Sequence, residues 1–462
     1  MNRPHQGGES ERPVRHDWLG TVEVYGAGAR CVVLRACARL RQQERPPPVM
    51  TFRRSAATVL AASAVLCATA GPVAVAAPTP SPKPVIPSGL YGRTDPTYDG
   101  VFRQSLALLA QDTVGVKPAA TAVNWLVGQQ CDSGGFPAFR ADATEPCNAK
   151  TMVDSNATAA AVQALGALGG QDAVVKKGVD WLKSTQNPDG GWSYSPGAPT
   201  DSNSTSIVIG ALAATGEKPG EVKSQKSRSP FDALGTFAIP CDAKTGGGAF
   251  AYQPDKAGKL APNGDATAAA VLGTLGKGLV VEGKDGGKKA SCTQGGKPTP
   301  AMTSGNGAAY LATTLAKTGH LDTPPMPGAE DAKPLPDFGN TADAVVALAA
   351  QGGAEQARKP LTWLEKNSAG WAKQSGPAAY AQLIFAAHAT GTDPKSFGGA
   401  DLVKALNATG PAPESVQKPA GDKDEKKDDG GFGAWWIVGI VFVASAGAGI
   451  LFSGRKKKNQ QR

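Results

Sequence analysis

The chain has 462 residues and a formal net charge of +9, with 58 Gly, 36 Pro and only 6% aromatic residues. The positive charge gathers in residues 1–58 and in Arg455–Lys458 and forms no basic stripe with interleaved aromatics, so a nucleic-acid partner is not expected. Ala- and Gly-rich apolar runs without stretches of Val, Ile, Thr and Tyr speak against a sheet-built core and for closely packed helices.

Residues 1–49 show no periodicity, and Met50 reads as the true start, which makes 1–49 an over-extended reading frame. Met50–Arg54, the small apolar run Ala56–Ala70 and Val73–Ala77 read as the basic, apolar and cleavage regions of a signal peptide over 50–77. A Pro-rich linker is expected at 78–97 and a repeat domain at 98–410. The charged stretch 411–431 reads as a disordered spacer. The uncharged run 432–452 is long enough to span a bilayer core of ~30 Å, with Trp435 and Trp436 at its outer edge. The basic tail 453–462 then stays cytoplasmic and the repeat domain faces outward, as a single-pass cell-surface protein.

Of the seven cysteines, Cys131, Cys147, Cys241 and Cys292 follow the expected cleavage site. An even number in an exported chain favours disulfides, and the expected pairs are Cys131–Cys147 and Cys241–Cys292.

Inside 98–410 one unit recurs. Lys177–Trp192 carries Trp181, Gln186, a Pro-Asp-Gly-Gly turn and Trp192. A looser copy runs from Trp125 through Gln130 to Phe136, and a shortened one from Trp363 through Asn367 to Trp371. Between these units stand runs that open on Asx or Ser residues and continue with small apolar ones: Asp154–Leu165, Asp201–Leu212, Asn263–Val271 and Phe338–Val346. Gly305–Leu311 and Pro377–Ile384 read as degenerate members. Their apolar character on nearly every face predicts helices enclosed by other helices. The alternation predicts an all-α fold of about six helix pairs, an α/α toroid closed so that no repeat leaves its apolar face exposed.

The run Lys177–Trp192 resembles the QW motif of the prenyltransferase and squalene-cyclase repeat superfamily. That resemblance implies a fastening role for Trp125, Gln130, Trp181, Gln186, Trp192, Trp363 and Trp371, with the Gln capping a neighbouring helix end. The family's enzymes set demands this sequence does not meet. No Asp-x-Asp-Asp cluster occurs in 90–410 to protonate an alkene, and the prenyltransferase zinc ligands do not surround His320 or His388. A thioester motif, a Gly-x-Ser-x-Gly elbow and a His-Glu-x-x-His helix are also missing, so no catalytic residue, metal or cofactor is assigned.

The remaining expectation is a binding protein, similar to the cobalamin carriers of the intrinsic factor and transcobalamin type. In a toroid the inner helices start at one mouth, where Asp154, Asn156, Asp201, Asn203, Asp265, Asn340 and Tyr380 would ring a small-molecule ligand, with cobalamin the candidate. Membrane transporter components are the expected partners. A structural or adhesive surface module is the alternative, and a terpenoid-cyclase or prenyltransferase-like enzyme the second one. The bland reading of the same Asx residues is helix capping.

Overall fold

The computed structural model describes residues 85–283, 289–295, 298–323 and 333–414. The expected signal peptide and membrane span lie outside them, and no helix among the described residues is long and apolar enough to cross a membrane.

Thirteen α-helices form in this region. They are α1 (Gly100–Thr113), α2 (Ala120–Gly128), α3 (Ser155–Leu168), α4 (Asp172–Ser184), α5 (Ser202–Ala214), α6 (Pro230–Thr236) and α7 (Gly264–Thr274). After them come α8 (Pro300–Thr318), α9 (Phe338–Ala350), α10 (Ala354–Asn367), α11 (Ala369–Ser375), α12 (Pro377–Thr390) and α13 (Leu402–Asn407). Two short antiparallel ladders join β1 (Phe136–Pro137) to β2 (Val153–Asp154) and β3 (Leu321–Asp322) to β4 (Pro336–Asp337).

Contacts among six of the helices form a circuit that returns to its start: α1 to α3, α3 to α5, α5 to α7, α7 to α9, α9 to α12, and α12 back to α1. The sequence explains why these are the inner ones. In α3 nearly every residue from Ala157 to Leu165 is buried, and in α9 the same holds from Ala344 to Ala350. Small residues let the axes approach: a Cβ on Gly273 of α7 would come within 2.7 Å of the Ser206 hydroxyl on α5. The remaining helices bury only one stripe. In α4 that stripe is Gly178, Val179, Trp181 and Leu182, and in α10 it is Ala357, Pro360, Leu361 and Leu364.

Two expectations change. Gly305–Leu311 belongs to α8, which lies against α7 and α10 outside the circuit. Its buried residues Ser304, Ala308, Leu311 and Leu315 recur at helical spacing and make one stripe, the pattern of an outer helix. The sixth inner helix is α1, whose start carries no capping side chain: Asp99 makes no cap bond and pairs with Arg103 at 3.0 Å instead. Within the stretch expected to be linker, Leu90 and Tyr91 are buried. The Gly92 N–H donates to the Thr409 carbonyl at 2.9 Å, and the Tyr91 hydroxyl donates to that of Pro411 at 2.8 Å. These bonds tie the two ends of the circuit together.

Both expected disulfides are formed, Cys131–Cys147 and Cys241–Cys292.

Candidate functional site

Four inner helices start in the same way, and the arrangement fixes what stands at their ends. Before each one a turn residue pairs with the N-cap residue: Phe136 with Asp154, Trp192 with Asp201, Phe250 with Asn263, and Leu321 with Asp337. The N–H of that turn residue donates to a threonine in the helix's first turns, Thr158, Thr205, Thr267 or Thr341, at 2.8–3.0 Å. Each threonine hydroxyl in turn donates to the N-cap carbonyl. This Asx-to-Thr spacing of four residues is in the sequence, and the sequence reading passed over it.

The same turns carry the motif aromatics. Trp192 is fully buried and its indole N–H donates to the Leu182 carbonyl at 2.7 Å. Gly190 has φ of +100°, and a Cβ there would sit 2.3 Å from the Ser229 carbonyl oxygen at the start of α6. Gly134 approaches Lys177 of α4 in the same way. Gln130 donates to the carbonyls of Gly134 and Val174, so it does bridge to the neighbouring helix α4. Gln186 stays within its own turn, donating to the Gly190 carbonyl at 2.7 Å. Trp181 lies on α4 against Gly135, while Trp125 stacks with Phe139. Trp363 and Trp371 flank Phe338 with ring centroids 4.9 and 5.5 Å away, and Trp371 stands inside α11 rather than in a Gly-x-Trp turn.

The residues expected to ring a ligand divide into two groups. Asp154 caps α3, accepting from the N–H groups of Asn156 and Ala157 at 2.7 and 3.1 Å. Asp201 caps α5, accepting from the Ser204 N–H and hydroxyl at 2.7 and 2.8 Å. Asn340 serves the cap of α9, donating its N–H and side-chain amide to Asp337 at 3.0 and 2.7 Å. Tyr380 of α12 is half-buried and packs against the core.

The other group faces neighbours at the mouth. Asn203 of α5 donates its amide to Asp265 of α7 at 2.6 Å. The equivalent residue of α3 is Asn156, whose Oδ1 is buried without a hydrogen-bond partner, as is the hydroxyl of the adjacent Ser155. On α9 the equivalent position is Gly339, and the polar role passes to Asp343 one turn deeper. Gln382 of α12 donates to Asp343 Oδ2 at 3.0 Å. Asp265 acts on Asp343 as a nearby charge, and neither is an N-cap residue.

Electrostatics separates these carboxyls from ordinary ones. Burial, followed by the repulsion of Asp265, pushes Asp343 up to about 7 from its ordinary 3.8, with the Gln382 N–H acting against the rise. Its side chain still keeps intermediate solvent accessibility, as Asp265, Asn203 and Gln382 do. Densely surrounded yet partly accessible, the Asp343 carboxyl keeps its proton far above the usual carboxylate range. Asp265 is also raised, mainly by burial, while its bond from Asn203 favours the ionised form. Burial also raises Asp154 and Asp201, against the pull of their cap bonds. The Tyr194 phenol beside Asp154 is pushed up to about 12, first by burial and then by that carboxylate. Among the described residues no group of three or more His, Cys, Asp or Glu is arranged to hold a metal ion.

The other end of the circuit is covered. The run Lys277–Gly283 crosses it: the Leu279 N–H donates to Gln163 of α3 at 2.9 Å, and Gly278 lies against Gly210 of α5. Gly283 lies against Ala389 of α12. Approach to Asp343 is thus from the N-terminal mouth. Asp343 is the sixth residue of α9, which places it about 8 Å along the axis from the first.

Sequence reasoning missed Asp343, Asp337 and Gln382. A signal was available: Asp343 is the one ionisable residue in the otherwise small and apolar run Phe338–Ala350.

No family model matches the chain, and no curated protein matches it. Solved structures with a similar course of chain include the ent-copalyl diphosphate synthase from Streptomyces platensis, at 16% identity and a TM-score of 0.42. That similarity covers 63% of this chain and 50% of that one, so the chain spans about half the length of this relative. A protein from Actinoplanes matches at 14% identity and a TM-score of 0.41, over 66% of this chain and 95% of that one. The type II terpene cyclase MstE from Scytonema matches at 14% and 0.38, over 60% and 72%. A resemblance to cobalamin carriers is not shown, and similarities this low carry no activity over to this chain.

Proposed function

We propose that the protein is an α/α-toroid enzyme whose general acid is Asp343, cleaving a bond to oxygen in a small organic substrate that enters at the N-terminal mouth. The observation that carries this reading is the Asp343 carboxyl enclosed inside α9 with the Gln382 amide on it, near enough to Asp265 in the first turn of α7, itself held by Asn203, to feel its charge. Both carboxyls are raised, Asp343 up to about 7, and a carboxyl that keeps its proton beside a second carboxyl is a recurring arrangement of acid–base sites. Asp343 gives its proton to the departing oxygen, and Asp265 takes a proton from the water that supplies the hydroxyl. One water is consumed, and two hydroxyl-bearing products leave.

The acid's strength guides the choice of chemistry. Protonating an unactivated alkene calls for a strong acid, whereas Asp343 has acidic neighbours that weaken it. A proton donor near 7 matches an oxygen leaving group at neutral pH. Of the toroid enzymes considered from the sequence, this reading keeps the architecture and the buried carboxylic acid. No feature of the mouth selects a corrinoid, since Asp154 and Asp201 are engaged in caps, so cobalamin is not part of the proposal. An outward-facing, membrane-anchored placement remains part of it and rests on the segments at 50–77 and 432–452.

The test is turnover of the full-length protein on a panel of aryl glycosides and prenyl ethers, with Asp343→Asn alongside. Release of the leaving group that falls away above about pH 7 and disappears in Asp343→Asn supports the reading. Release at the same rate by Asp343→Asn, or none from any substrate, sinks it.

A further inference from the structure

A cavity of about 640 Å³ opens beside the start of α3, clear of the Asp265–Asp343 pair. Its volume falls within the ~300–1,000 Å³ usual for small-molecule sites. Six large apolar side chains are exposed among the described residues, and three of them line this one cavity: Tyr98 (85% exposed), Met152 (73%) and Tyr194 (43%). Solvent-exposed aromatics gathered in one concave place are a ligand's surface rather than a core's.

The walls are held rigidly. The Cys131–Cys147 disulfide closes the loop that bears Phe139, and the Arg140 guanidinium donates to the carbonyls of Gly128, Gln130, Ala143 and Glu145. With its donors spent on the loop, Arg140 is not free to bind an anion. Asp142 accepts from the Thr144 N–H and hydroxyl through Oδ1. The lining sets Arg140 and Lys150 against Asp142, Glu145 and Asp154, so its charges nearly balance and select strongly for neither a cation nor an anion.

Between the aromatic faces stand the Tyr194 phenol, set against the capping carboxylate Asp154, and the Asn148 amide. Behind Asp154, the partnerless Ser155 hydroxyl and Asn156 Oδ1 mark the same helix end as short of hydrogen bonds. An alternation of ring faces and hydroxyl partners in an open, wet cleft fits a molecule with apolar C–H faces edged by hydroxyl groups. A prenyl chain would call for a closed and uniformly apolar cavity instead.

We propose that this cavity is a binding site for a neutral oligosaccharide, with Tyr98 and Tyr194 as the platforms on which its sugar rings stack. Its relation to the chemistry at Asp343 rests on the acid-site reading, under which the bound chain presents its glycosidic oxygen to the mouth. The binding itself does not depend on that reading.

The experiment titrates the full-length protein with cellotetraose, maltotetraose, chitotetraose and, as the contrasting probe, farnesol, following the tyrosine and tryptophan fluorescence. The expected result is saturable binding of at least one tetrasaccharide that weakens at least tenfold in Tyr98→Ala/Tyr194→Ala. Tyr194→Phe, which keeps the ring, is expected to restore most of the affinity lost in Tyr194→Ala. Asp343→Asn is expected to bind the same sugar within threefold of wild type. Tyr98 is almost fully exposed, so its removal leaves the fold intact, and an unchanged melting temperature checks this. No tetrasaccharide binding, binding indifferent to both tyrosines, or farnesol binding at the tyrosines overturns the proposal. Sugar binding without any turnover would instead refute the acid-site reading and leave this one standing.

Discussion

Replacing Asp343 with Asn is expected to stabilise the folded protein at neutral and higher pH while abolishing its chemistry. In the folded state this carboxyl holds its proton up to about 7, against an ordinary 3.8. The folded chain therefore binds that proton more tightly than the unfolded chain, and the resulting stability is fully present below about pH 4. It is lost as pH climbs from about 4 through 7 and stays lost above. The interval corresponds to at most about 4 kcal/mol, and the residual accessibility of Asp343 reduces this to about 2 kcal/mol. Asn cannot ionise, keeps an oxygen to accept the Gln382 amide bond, and removes that slope. Urea unfolding of wild type and Asp343→Asn at about pH 5 and about pH 8 measures it, with the variant expected to gain only at the higher pH. Catalysis should fall by about 10²–10⁴ in the same variant. A variant that loses stability at about pH 8, or that shows the wild-type slope, would mean that Asp343 titrates like a surface carboxylate and that the acid assignment has no basis.

Trp192→Ala should cost about 3–5 kcal/mol in thermal or urea unfolding because the ring is fully buried, without shifting the pH profile of turnover. Gly190→Ala should destabilise far more than Gly197→Ala in the same assay. Both have positive φ, but only at Gly190 would a Cβ meet backbone within 2.3 Å. Asp154→Ala and Asp201→Ala should each lose about 1 kcal/mol as caps, with Asp201→Ala also freeing Ser204. Opening Cys241–Cys292 should cost about 1 kcal/mol more than opening Cys131–Cys147 on loop-closure entropy, because the separations are 51 and 16 residues. Differential melting of the two Cys→Ser pairs measures that difference.

The helical order was legible in the sequence wherever one physical cause acted alone. Asx residues ahead of small apolar runs announced α3, α5 and α7, since a short polar side chain satisfies the unpaired N–H groups of a helix start. The disulfides were legible from the even number of cysteines and the expected export. What escaped was whatever depended on a partner distant in the chain. The helix α1 lacks a capping side chain, and its burial comes from α3 and α12 at opposite ends of the sequence. The helix α8 carries the same small residues as the inner helices but arranges them in one stripe. For the site, Asn203 and Asp265 were recognised as polar groups at helix starts, and the structure joins them. Asp343 was passed over because the search for polar groups stopped at the helix starts. Only its enclosure by α7 and α12, with Asp265 and Gln382 opposite, makes it an acid.

The central claim is that Asp343 carries a proton near neutral pH. Infrared difference spectra of wild type against Asp343→Asn, collected through a pH titration, observe that proton as the C=O band of a protonated carboxyl. A band present at about pH 6 and lost with a midpoint near 7 is the predicted result. A difference spectrum with no such band at about pH 6, its midpoint lying near the ordinary 3.8, would contradict the account.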